Sequence, residues 1–187
     1  MTAELGLAAK VEAIDGGLAQ ARIPHAFGGA LALAYYATPR ATIDIDVNVF
    51  VGTGDYPLVA DALRVTGVDQ IPERAVVDRD GQVRARWGQT PVDLFFSYDP
   101  IHDAMRDAVR RVPFGEATIP ILAPEHLLVA KAVFNRPKDW IDIEQMMIAA
   151  DDLDAAEIRR WLVHLAGEDD PRFLRVERLI RELRTLD

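Results

Sequence analysis

Between Thr42 and Phe50 the chain reads TIDIDVNVF, and that alternation admits one backbone geometry. Ile43, Ile45, Val47 and Val49 recur at every second residue, the period of side chains along a β-strand. Thr42, Asp44, Asp46 and Asn48 share the opposite face. The strand therefore has one face fit for a core and one that carries two acids. Like charges at that spacing repel, and the repulsion is costly unless a cation or a basic side chain lies between them. Plain solvent exposure is the alternative, and the polar neighbours Thr42 and Asn48 suit it equally.

Helical patterns surround this strand. Leu5, Ala8, Val11, Ile14 and Leu18 have helical spacing within residues 3–21, and a short apolar strand is expected over 23–27. Gly28-Gly29 then opens a second helix, ALALAYYA, which Thr38-Pro39 should end. A third helix is expected over 56–66. Asp80-Gly81 is a strong turn pair, so Val76-Val77 and 83–87 are expected as an antiparallel hairpin. Further strands are expected at 91–96 and 118–122, with a short helix at 101–110 between them. From Pro124 the texture changes, with helices expected at 124–134, 138–149, 154–166 and 171–185. The fold class is α/β (α+β), with a core at 1–122 and a C-terminal helical region at 123–187 expected to pack on it.

Composition removes several classes of function. The 187 residues contain no cysteine, which excludes disulfides, thiol catalysis and cysteine metal sites, and which fits a cytoplasmic protein. No apolar run is long enough to span a membrane, and no basic segment followed by an apolar one marks a secretory signal. The formal charge of -9 argues against a non-specific DNA binder, although a local basic patch could still hold a nucleic-acid substrate.

Three features carry the chemistry. Asp44 and Asp46 point the same way from one strand, and a divalent ion such as Mg2+, which takes hard oxygen ligands and bridges carboxylates to phosphates, answers their repulsion. Asp93 is the candidate for a third acid, because Val92, Leu94, Phe95 and Phe96 leave an ion there in need of a partner. Gly28-Gly29 sits between a strand and a helix start, where amides without obstructing side chains can cradle phosphate.

Phe27-Gly28-Gly29-Ala30 followed by Pro39-Arg40-Ala41-Thr42-Ile43-Asp44-Ile45-Asp46-Val47 resembles the nucleotidyltransferase superfamily. The likeness is greatest to the branch containing the AbiEii/AbiGii-type toxins of type IV toxin–antitoxin systems. Val92-Asp93-Leu94 matches that branch's third acid, and Lys131, then Arg136-Pro137-Lys138-Asp139 and Asp142, resembles its helical lysine and charged cluster. The resemblance implies a mixed sheet with flanking helices. It implies that Asp44, Asp46 and Asp93 hold Mg2+, that Gly28, Gly29, Arg40, Thr42 and Lys131 form the nucleotide seat, and that Asp93 helps deprotonate the attacking hydroxyl. The substrate would be a nucleoside triphosphate (ATP or another NTP). The acceptor would be RNA, in particular a tRNA end, or a protein hydroxyl, and a cognate antitoxin is an implied partner. Ala30 departs from the Ser that the wider superfamily often has, which weakens the phosphate-binding detail.

Two other readings compete. One is a small-molecule nucleotidyltransferase of the aminoglycoside type, whose cationic acceptors would suit an acidic chain. The other is an inactive module that binds a nucleotide or a partner. His25, His102, His126 and His164 show no i,i+4 pairing and read as structural. Lys131 among Leu127, Leu128 and Val133 could also snorkel from an apolar helix.

Overall fold

The alternating segment is a strand at the centre of a mixed sheet. The structure, a computed structural model, describes residues 5–74, 77, 81–150 and 152–184. They fall into two units, Met1–Leu31 with Ala41–Leu122, and Ala32–Arg40 with Ala123–Asp187.

The first unit holds α1 (Leu7–Gln20), β1 (His25–Phe27), the start of α2 (Gly29–Leu33), β2 (Ile45–Val49), α3 (Tyr56–Thr66), β3 (Gln82–Trp87), β4 (Thr90–Phe96), α4 (Pro100–Asp107), β5 (Arg110–Phe114) and β6 (Ala117–Ile121). The sheet order is β3-β4-β2-β1-β6-β5. β2 runs parallel to β4, and β1 parallel to β6, while the other neighbours are antiparallel. Ile45, Val47 and Val49 of β2 are buried, as are Val92, Leu94 and Phe96 of β4. Tyr56 of α3 packs edge-on against Phe96, so α3 covers this apolar face. Val11, Ile14 and Leu18 of α1, with Val59 and Leu63 of α3, add the buried stripe that helical spacing predicts. Asp46 of β2 lies on the opposite face, half-buried, with the buried Asn48.

Four expectations need correction. β2 starts at Ile45 rather than Thr42, because the Thr42 hydroxyl accepts from the Asp44 N–H at 3.2 Å and withdraws it from the ladder. The second helix ends at Leu33, and the N–H groups of Tyr35 and Tyr36 bond three residues back, in a tightened turn. The strand at 83–87 pairs with β4 across the Gly88-Gln89 turn rather than with Val76-Val77. Of that expected partner Val77 lies in a helical turn, and Val76 and Asp80 fall outside the described residues. Finally, β5 was not foreseen. Its arginines and Pro113 read poorly as a strand, yet it lies at the end of the strand order, where proline is tolerated.

The second unit is helical: α5 (Pro124–Phe134), α6 (Pro137–Ala149), α7 (Ala155–Ala166) and α8 (Pro171–Arg184). Three of the four open on proline, whose missing N–H costs nothing in a first turn. The Asp154 side chain caps α7 by accepting from the Ala156 and Glu157 N–H groups. Leu128, Ala132, Ile143, Met146, Leu162 and Val176 are buried within this unit's helices.

Candidate active site

The sheet register brings the distant acids to adjacent strands. Asp46 of β2 pairs with Asp93 of β4, and Asp93 pairs with Arg84 of β3. Neighbouring strands lie about 4.8 Å apart, so these three side chains stand in a row on one face. Asp44 precedes Asp46 by two residues and approaches the same row, since its charge, like that of Asp46, acts on Arg84.

Arg84 is the residue that sequence reasoning missed. Its Nε donates to Asp93 Oδ1 at 2.7 Å and its Nη2 to Asp93 Oδ2 at 2.6 Å, a forked pair. That hydrogen bonding, then the charge of Asp93 and the smaller pull of Asp44 and Asp46, holds the guanidinium above its ordinary pKa. The signal was present in the sequence: a turn at Gly88-Gln89 sets residue 84 opposite residue 93.

Glycine is required behind the acids. Gly29 has φ 54, and a Cβ there would lie 1.7 Å from Asp46 Oδ2. The Asp46 carboxylate thus occupies the space that any other residue's side chain would fill. Gly28 plays a different part from the one expected. Its N–H donates to the Asp46 carbonyl at 2.9 Å, so that amide is spent on the sheet rather than aimed at a phosphate. A Cβ on Gly28 would meet Asn48 Nδ2 at 3.0 Å, and Asn48 itself is buried. Thr42, expected at the nucleotide seat, fixes the backbone of Asp44 through its hydroxyl.

The expected phosphate contacts Arg40 and Lys131 belong to the second unit, where both meet Asp142. Lys131 Nζ donates to Asp142 Oδ2 at 2.7 Å, and Arg40 forks onto the same carboxylate with both contacts at 3.1 Å. The lysine does not snorkel: the Lys131 and Asp142 side chains are only 4% and 3% exposed. Burial pushes the Asp142 pKa up, but the hydrogen bonds and charges of Arg40 and Lys131 outweigh it and leave the group below the usual carboxylate range. Beside it, Arg136 forks onto the buried Asp139, which also accepts from the Arg136 N–H.

Among the described residues, no three His, Cys, Asp or Glu side chains are gathered closely enough to hold a metal ion as they stand. The donor chemistry nevertheless fits a hard divalent ion. Asp44, Asp46 and Asp93 offer carboxylate oxygens alone, Gly29 leaves the Asp46 carboxylate its room, and the cation forked onto Asp93 is a half-exposed arginine.

No protein family's sequence profile matches this chain, and no curated protein sequence matches it. Solved structures do. The antibiotic-resistance factor ANT(2'')-Ia is similar over 84% of this chain and 90% of its own, at 15% identity and a TM-score of 0.59. The same protein in complex with adenylyl-2''-tobramycin is similar over 95% of this chain and 97% of its own, at 14% identity and a TM-score of 0.56. The lincosamide antibiotic adenylyltransferase LnuA, bound to lincomycin, is similar over 75% of this chain and 96% of its own, at 10% identity and a TM-score of 0.53. The six-stranded mixed sheet with its helices is thus the nucleotidyltransferase fold.

Proposed function

We propose that this chain moves a nucleoside monophosphate from a nucleoside triphosphate to a hydroxyl acceptor, with Asp44, Asp46 and Asp93 as the acidic centre. One observation carries the reading: Asp46 and Asp93, 47 positions apart in the chain, are register partners on parallel strands, with Gly29 cleared for the Asp46 carboxylate.

In this reading Asp44, Asp46 and Asp93 would hold the divalent ion. When bound, the ion offsets the charge of the triphosphate and of the leaving pyrophosphate. The acceptor oxygen attacks the α-phosphorus, the bond from that phosphorus to the bridging oxygen breaks, and pyrophosphate leaves. Asp93, beside the attacking oxygen, takes the hydroxyl proton. Apart from that proton transfer the chain contributes position and fixed charge rather than covalent chemistry.

The motif around Gly28 and Asp44 supports a toxin-type enzyme with an RNA or protein acceptor and a cognate antitoxin. A small cationic acceptor is the second reading. The formal charge of -9 favours it, as does the fold shared with two antibiotic-modifying or resistance proteins. Incubation with each α-labelled triphosphate, Mg2+ and separate pools of RNA, protein and aminoglycosides tests both. Label should enter one pool with wild type and none with Asp46→Asn. No transfer from any triphosphate to any pool would overturn the proposal.

A further inference from the structure

The acids of this site already have a cation, and it belongs to the chain. Arg84 makes both of its forked contacts to Asp93, and Asp93, then Asp44 and Asp46, pull on its charge. It is also reachable from solvent: its side chain is 55% exposed, and ion pairs with an exposed partner contribute on the order of 1 kcal/mol. Asp93 differs in being only 17% exposed. A second position for the guanidinium is at hand. Arg84 and Arg86, two residues apart on the same face of β3, line a cavity of about 260 Å³ with Gln70, Ile71 and Pro72. The Arg86 backbone is tied to Gln70 by bonds of 2.9 and 3.2 Å, which holds that wall of the cavity.

We propose that Arg84 is a removable counter-ion: it holds Asp93 until a divalent cation replaces it, and then turns into the cavity beside Arg86, where two guanidinium groups can take phosphate oxygens. This rests on the reading of the acids as a cation seat. Before the ion arrives, Arg84 offsets the repulsion among the acids that the strand pattern creates. When it arrives, the divalent ion competes with Arg84 for the Asp93 oxygens, and its double charge gives it the greater attraction. Arg84 therefore lowers the affinity for the ion alone and releases a phosphate-binding group as the ion enters.

Titration of the full chain with Mn2+, with free ion counted by electron paramagnetic resonance, tests this without reference to transfer activity. Arg84→Ala should bind Mn2+ roughly fivefold more tightly than wild type, the size expected from loss of a counter-ion worth about 1 kcal/mol. Arg86→Ala removes the same charge two residues away without touching Asp93 and should change the affinity less than about twofold. Adding Asp93→Asn to Arg84→Ala should abolish the gain. Arg84→Gln keeps most of the side chain's bulk and is read the same way should the alanine variant not fold. Equal affinities in wild type and Arg84→Ala, or equal gains from Arg84→Ala and Arg86→Ala, overturn the role of Arg84. If Asp46→Asn still removes the binding in that case, the acidic site itself stands. Absence of Mn2+ binding in every variant overturns both.

Discussion

Gly29 is the residue whose replacement is most tightly determined. Its φ of 54 strains any side chain by about 1–2 kcal/mol, and a Cβ would fall inside the Asp46 carboxylate. Gly29→Ala should therefore lower stability by about 2 kcal/mol or more in urea unfolding and also abolish transfer, by displacing Asp46. Gly28→Ala, with an ordinary φ and Asn48 Nδ2 at 3.0 Å, should cost less than Gly29→Ala. Asp46→Asn separates function from stability in the opposite sense. It removes like-charge repulsion on a half-exposed strand face, so the variant should unfold at an equal or slightly higher temperature while transfer is lost. Asp142→Asn should behave differently again. It strands the buried Lys131 charge and should cost about 3–5 kcal/mol. Pairing Asp142→Leu with Lys131→Met should regain most of that. The importance of the Gly-Gly pair was legible from two glycines between a strand and a helix, but its cause was not. The expected cradle of amides is, at Gly28, a sheet hydrogen bond, and at Gly29, room for a carboxylate.

At the scale of elements, β2 was readable because period-two alternation is a local property, and its parallel partner was not. Nothing in residues 45–49 states that they pair with 92–96 rather than with another apolar strand, so the meeting of Asp46 and Asp93 rested on the apolar surroundings of Asp93 and on the resemblance. Two turn signals, Asp80-Gly81 and Gly88-Gln89, lie within ten residues, and among the described residues it is the second that joins paired strands. Expecting the hairpin at the first hid Arg84, whose role follows from the turn alone. The helical unit offers a test in pH. Burial pushes the imidazole of His126 on α5 below its usual range, against the opposing charges of Glu157 and Glu125. Nε2 lies 3.4 Å from Glu157 Oε1, and Nδ1 has no hydrogen-bond partner among the described residues. The folded state thus binds this proton less readily than the unfolded chain, and stability should fall as pH drops below about 6.5. Asp142, held below the usual carboxylate range, contributes stability above about pH 4 that is lost as pH falls through its folded value. Thermal unfolding against pH should show both slopes, and His126→Phe should remove the upper one alone.

For the whole molecule, the charge of -9 governs encounter more than fold. A cationic acceptor should be drawn in at low salt, so its KM should rise several-fold as ionic strength is raised toward about 0.15 M, with kcat unchanged. An RNA acceptor should show no such loss from this term. The two units carry separate parts of the expected site. The sheet unit has the three acids, Gly29 and Arg84, while the helical unit has Arg40, Lys131 and Asp142. The sequence boundary near residue 123 matched a change of texture, but residues 32–40 belong with the helical unit, a long-range association that no local pattern encodes. The most direct test of the acidic centre is a crystal grown with Mn2+ and a non-hydrolysable triphosphate analogue, read by anomalous scattering. The account predicts a peak about 2.1 Å from oxygens of Asp44, Asp46 and Asp93, with Arg84 released from Asp93. A metal–triphosphate complex bound elsewhere, with Arg84 still forked onto Asp93, would contradict it.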